Sequence, residues 1–214
     1  MTRTLTSIAA LSEEIVAAPR KSTRRLVALA GAPGSGKSTL AERLAQDLTA
    51  RGSAAQVVPM DGFHLDNRLL TPMGLLDRKG APETFDAGGL ARLVAALGGQ
   101  SSVYYPLFDR ARDIAIAGAG TLQEDCDTVI VEGNYLLFDA PGWRSLSDYW
   151  DVRVQLSVPM HVLRARLIDR WLVEGLPKPE ATKRAEGNDL KNAGRLEDNS
   201  LPSDLVFLND GDLT

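Results

Sequence analysis

The chain has 214 residues, 44% hydrophobic and 24% charged, with no low-complexity tract or repeat, so an ordered fold around one well-buried core is expected. A formal charge of -4 lacks the basic excess of a protein that coats nucleic acid, and a small-molecule partner fits better. With Cys126 as the only cysteine and His64 and His161 the only histidines, neither a disulfide framework nor a Cys/His zinc site can be assembled, and Cys126 reads as a small buried hydrophobe.

The opening segment carries an apolar stretch broken by Ser12, Glu13 and Glu14, too short and too acidic for a signal peptide or a membrane span. A cytoplasmic protein without membrane insertion is the expectation. Residues 6–18 read as an amphipathic helix, followed by a polar, basic link through Arg20, Lys21, Arg24 and Arg25.

Five short apolar runs then read as buried parallel strands: 26–30, 55–59, 128–131, 152–158 and 204–208. Helical patterns lie between most of them, the signature of an α/β sheet. The first helix repeats Leu40, Leu44 and Leu48, and a later one, from Pro159 to about Gly175, sets Leu163, Leu167 and Trp171 on one face and Arg166 and Arg170 on another. Between the second and third strands, residues 60–127 far exceed what a parallel crossover needs. They hold a helix over 88–97 and a hairpin pairing 102–105 with 114–117, and read as a substrate-binding insertion.

Between the first strand and its helix lies GAPGSGKS, residues 31–38, which matches the phosphate-binding pattern G-x-x-x-x-G-K-[ST] in the required strand–loop–helix context. Gly31, Gly34 and Gly36 let the backbone turn its N–H groups inward, with Ala32, Pro33 and Ser35 completing the loop, and the helix N-terminus adds positive potential. Lys37 would reach the β and γ phosphates, Ser38 would coordinate the bridging magnesium, and Thr39 would assist at the α phosphate. Mg·ATP is therefore the expected ligand.

Ligands of α/β sheets collect at the carboxyl ends of strands. Asp61 stands just past the second run, where phosphoryl transfer to an alcohol needs a group to accept the hydroxyl proton. Glu132 directly follows the third, the position of a magnesium-holding acid. His64 could hydrogen-bond an acceptor hydroxyl, while Arg78, Lys79 and Arg110 could bind a phosphate or carboxylate on it.

The ordered set GAPGSGKST, VPMDGFH, RKGAPETFD, YYPLFDRARD and IVEGNYLLF resembles the uridine kinase, phosphoribulokinase and bacterial pantothenate kinase family, with particular likeness to bacterial fructose transport system kinases. The resemblance runs from Arg25 onward. It implies a P-loop fold with a five-stranded parallel sheet in the order 2-3-1-4-5 between helices, one kinase domain over 25–214 after an N-terminal helix and link over 1–24, and a lid and following helix over about 164–192. It also implies Asp61 as catalytic base and Glu132 as the acid of the magnesium site. Lid arginines Arg166 and Arg170 are implied to act with Lys37 on the triphosphate. The acceptor site is implied to be lined by Arg78, Lys79, Tyr105, Phe108, Asp109 and Arg110, and a segment over 185–193 to lie near the nucleotide base. Phe108 stands where the family has tyrosine, which disfavours direct uridine recognition. Asp86 is placed to cap the helix that follows it.

The expected activity is ATP-dependent phosphorylation of a small hydroxyl acceptor, a sugar such as fructose, with a pantothenate- or nucleoside-type kinase and a regulatory NTPase attached to sugar transport as alternatives. A switch GTPase is disfavoured because no N-K-x-D tetrad follows the third strand. The sequence leaves a homodimer open.

Overall fold

The computed structural model describes residues 2–209, so the last five residues of the domain expected over 25–214 lie outside the described residues. In chain order the regular elements are β1 (Arg3–Leu5), α1 (Ile8–Ala17), β2 (Arg25–Gly31), α2 (Lys37–Ala50), β3 (Ala55–Pro59), α3 (Asn67–Leu70), α4 (Ala87–Leu97), β4 (Val103–Asp109), β5 (Ile114–Leu122), β6 (Thr128–Gly133), β7 (Val152–Ser157), α5 (Met160–Val173), α6 (Lys178–Arg184), α7 (Leu190–Asp198) and β8 (Leu205–Leu208).

β2 is buried at every position. Leu26, Ala28 and Ala30 enter one apolar layer with α4, and Val27 and Leu29 enter the other with α1 and α2. A strand covered on both faces needs such a continuous apolar run. Its partners β6 and β7 are both parallel to it. The sheet order is β1-β8-β7-β2-β6-β3, with every pairing parallel.

That order corrects the expected strand count from five to six. The added strand, β1, pairs with the short edge strand β8 in the register Arg3↔Leu205 to Leu5↔Phe207. α1 follows it, capped by the Ser7 hydroxyl accepting from the Ala10 amide at 3.2 Å, and buries Leu11 and Ile15 with Leu44 and Leu48 of α2.

The basic link also differs from expectation, because Arg24 and Arg25 are buried, at 1% and 4% exposure. Arg24 donates to the carbonyls of Leu97, Gly99, Gln100, Ser101, Gln123 and Cys126, gathering the end of α4 and both ends of the hairpin onto the start of β2. Arg25 donates to Val16 O and Ala18 O, closing the end of α1.

Within the insertion, α4 is capped by Asp86, which accepts from the Gly89 amide at 2.7 Å. The hairpin is longer than expected and differently registered: Tyr105 lies opposite Gly120 and Asp109 opposite Ile114. A side chain at Gly120 would meet the Tyr105 ring at 2.2 Å, so the ring itself selects glycine there. Among the described residues no helix is long and apolar enough to cross a membrane.

Candidate active site

The phosphate loop closes over the end of β2. Gly34 and Gly36 have φ of 75° and 86°, in the left-handed region that glycine enters freely, and Gly36 is the N-cap of α2. A Cβ on Gly31 would lie 2.8 Å from Ser35 Oγ, so the first glycine is required by close approach. The Ser35 carbonyl is held from outside by Arg166 and by Asn209, each at 3.3 Å.

Ser38 donates its hydroxyl to Glu132 Oε1 at 3.2 Å. Glu132 is 6% exposed and its Oε2 has no protein partner. Burial pushes its carboxyl above the usual range, opposed by the Lys37 ammonium. A buried orphan carboxylate oxygen beside a serine hydroxyl is a donor set that fits a hard divalent cation such as magnesium.

Asp61 is the second residue of a single 3-10 turn, Met60–Phe63, at the end of β3. Gly62 makes room for the hairpin: a Cβ there would lie 2.1 Å from the Pro106 carbonyl oxygen. Arg110, leaving the end of β4, donates to Asp61 Oδ2 at 2.7 Å. His64 Nδ1 lies 2.7 Å from the Asp61 carbonyl oxygen, and since a carbonyl only accepts, Nδ1 carries the hydrogen. Its ring contacts Phe85 and Phe108 at centroid distances of 4.0 and 4.6 Å, and burial pushes its pKa down, favouring the neutral ring. Lys79 donates to Asn67 Oδ1 and the Asp113 carbonyl, pairs with the Asp113 carboxylate at 2.9 Å and lies over the Phe108 ring.

These groups face one cavity of about 770 Å³ lined at one end by Gly34, Gly36, Lys37, Ser38 and Thr39 and at the other by Asp61, His64, Lys79, Phe108 and Arg110. Glu132 sits beneath it, reached through Ser38. Arg170 joins from α5, paired with Glu174 at 3.2 Å.

Gly31, Ala32 and Ser35 of the loop lie behind the cavity wall, as Glu132 does, and four further residues expected at the site are not brought to this cavity. Arg78 forms an ion pair with Glu83, Asp109 accepts from Arg112 within the hairpin turn, and Tyr105 is buried with its hydroxyl donating to Val57 O at 3.3 Å. Arg166 serves the Ser35 carbonyl instead.

The cavity also contains residues to which sequence reasoning gave no site role, among them Asn67, Asp113, Asn134, Trp171 and Arg184, together with Asp189 from the 185–193 segment. Asn134 was the most findable, being two positions beyond Glu132 at the same strand end. Trp171 was placed on the apolar face of α5, but whereas Leu163 and Leu167 are buried, Trp171 is half-buried and donates its indole N–H to Asp189 Oδ2 at 2.8 Å.

Residues 26–174 match the model of the phosphoribulokinase/uridine kinase family. The chain belongs to that family. A protein of Schizosaccharomyces pombe called "putative uridine kinase" is 35% identical over 195 residues, covering 86% of this chain and 83% of its own. A pantothenate kinase of Leifsonia xyli is 34% identical over 160 residues, 72% of this chain but only 48% of that longer protein. Among solved structures, a "putative fructose transport system kinase" from Silicibacter sp. TM1040 is 59% identical, covers 95% of this chain and 100% of its own, and superposes with a TM-score of 0.92. This family member is thus a small-molecule kinase on a P-loop nucleotide-binding fold, and ATP dependence is what its family implies.

Proposed function

We propose that this kinase transfers the γ-phosphoryl group of Mg·ATP to a hydroxyl of a sugar or a closely similar polyol. The observation that carries the proposal is the Asp61 carboxylate facing the same cavity as Lys37 and Ser38, with Arg110 holding one of its oxygens. Asp61 would accept the hydroxyl proton as the acceptor oxygen bonds to the γ phosphorus and the bond to the β–γ bridging oxygen breaks. Lys37 and Arg170 would balance charge on the transferring group and on departing ADP. Ser38 and Glu132 would hold the magnesium ion, which when bound neutralises phosphate charge.

The character of the acceptor end supports a polyol. Asp61, His64, Asn67, Lys79 and Asp113 offer both donors and acceptors, and the cations Arg110 and Lys79 already face carboxylates. The cavity's Phe108 and Trp171 rings carry cations over them, Lys79 on the first and Arg170 and Arg184 on the second, leaving little aromatic surface for a nucleobase. The name of the Silicibacter relative points toward a sugar as well.

The test is a coupled assay of ADP release with purified protein, Mg·ATP and a panel of sugars, polyols, nucleosides and pantothenate. Sugar-dependent turnover is expected, with Asp61→Asn lowering kcat by about 100-fold while nucleotide affinity stays near wild type. ATP hydrolysis indifferent to every acceptor would overturn the proposal in favour of a regulatory NTPase, and equal rates in Asp61→Asn would remove Asp61 from the chemistry.

A further inference from the structure

Arg184 closes α6, outside both the phosphate loop and the helix carrying Arg166 and Arg170, yet it lines the same cavity as Lys37 and Ser38. Its guanidinium lies over the Trp171 ring, 5.2 Å from a ring centroid, and Arg170 lies over that same indole, also at 5.2 Å. The indole is anchored through its N–H to Asp189, 9% exposed at the end of the π-helical turn Ala185–Asp189. The preceding residue of that turn, Asn188, donates to the Lys79 carbonyl at 3.0 Å, tying it to the acceptor segment.

An aromatic face holds a guanidinium without cancelling its charge. Among the described residues Arg184 has that contact and no direct carboxylate ion pair; the nearby acid that feels its charge is Asp189, and the guanidinium remains at the cavity wall. Arg166, by contrast, donates to the Ser35 carbonyl and is not among the cavity-lining residues. A nucleoside triphosphate brings several negative charges to the loop end of this cavity, where cations not already neutralised count most.

We propose that Arg184 is a triphosphate-binding residue acting together with Arg170, and that Trp171 is a positioning residue that holds both guanidinium groups over one ring. The inference rests on the kinase reading above for its ligand, and extends it to Arg184, a residue of the 164–192 region to which the resemblance assigned no role. The π-helical turn that directly follows Arg184 is itself tied to the acceptor segment through Asn188.

Calorimetric titration of a non-hydrolysable ATP analogue and of ADP tests this without an acceptor. Arg184→Gln is expected to weaken the analogue about tenfold and ADP by much less. An unchanged ratio of the two affinities would overturn the role of Arg184, whatever acceptor the enzyme uses. Trp171→Leu should reproduce the loss, Trp171→Phe should recover most of it by keeping a ring face, and the Arg184→Gln/Trp171→Leu pair should be far from additive. Additive losses would overturn the positioning role.

Fluorescence supplies a second readout, since Trp143 and Trp150 are buried at 4% and 2% exposure and Trp171 is the indole at the cavity. Emission should change on adding the analogue to the wild type and stay constant in Trp171→Phe; a response retained in that variant would also count against the proposal. If the wild type binds the analogue with these signatures yet phosphorylates no acceptor, the transfer reading fails and this inference stands. If transfer is observed and the affinity ratio does not move, this inference fails alone.

Discussion

Burial sets the chemistry of Glu132 before any ligand arrives. Its carboxyl is pushed above the ordinary value chiefly by desolvation, and one oxygen has no protein partner. A carboxyl whose folded pKa exceeds its unfolded one stabilises the fold below the unfolded value, about 4.3, and that contribution disappears as pH rises through the folded pKa. As pH rises, ionisation of this carboxyl therefore works against the ligand-free fold unless a cation shares its charge. Glu132→Gln is expected to raise the melting temperature of the ligand-free protein at pH 7 by a few degrees, about 2 °C or more, with the gap narrowing toward pH 4. The same substitution should abolish most magnesium-dependent turnover. A scanning calorimetry trace showing the variant less stable at pH 7 would contradict this account. Residues such as Glu132 and Asp61 were legible because each sits at the end of an apolar strand run, where α/β sheets present their ligands. Trp171 was not, because helical periodicity assigns a residue to a face without saying whether another element covers it there.

Single elements in this fold are held by contacts with distant backbone. Arg24 has the greatest reach, donating to six carbonyls from the end of α4 to the residues before β6. In sequence it belongs to a basic run that reads as a solvated link; the structure buries it because the turns on either side of the hairpin leave their carbonyls facing inward. Replacing it by an apolar side chain of similar length would orphan those acceptors. Arg24→Met is expected to cost about 3 kcal/mol or more, read as a lower urea midpoint with little change in slope. A loss below about 1 kcal/mol would mean that water takes over most of those carbonyls. The hairpin shows the same limit of sequence reading. The small residues of β5, from Ala115 to Gly120, give only a weak alternation, and the register is fixed instead by Tyr105 lying against Gly120.

The whole molecule depends on a segment that reads as a preamble. β1 covers the edge of β8, and α1 buries Leu11 and Ile15 against the leucine stripe of α2, the helix whose N-terminus carries the phosphate loop. Burial of the two side chains is worth roughly 3–6 kcal/mol by area. Removing residues 1–18 is expected to lower the melting temperature by about 10 °C or more and to weaken nucleotide binding. Unchanged melting and affinity in the truncated chain would show that strand and helix are dispensable. An edge strand of three residues leaves so short a periodic signal that nothing in the sequence marked it.

By itself the sequence determined the phosphate end of this protein. The loop's conformation is written into Gly34 and Gly36, two positions apart and both with positive φ, and into the helix that starts at Lys37, so its geometry needs few long-range contacts. The central strand runs of β2 and β6 were likewise local, because burial on both faces demands a nearly uninterrupted apolar run. Only the tertiary structure decided the other end of the cavity. Asn67, Lys79 and Asp113 meet there from separate segments, and Trp171, Arg184 and Asp189 come together likewise on another part of the cavity wall. None of these residues has a local pattern that announces its neighbours. Which polar side chains face a ligand and which, like Asp109 and Arg78, are taken up by nearby partners is settled by packing across the chain, where sequence spacing carries no information.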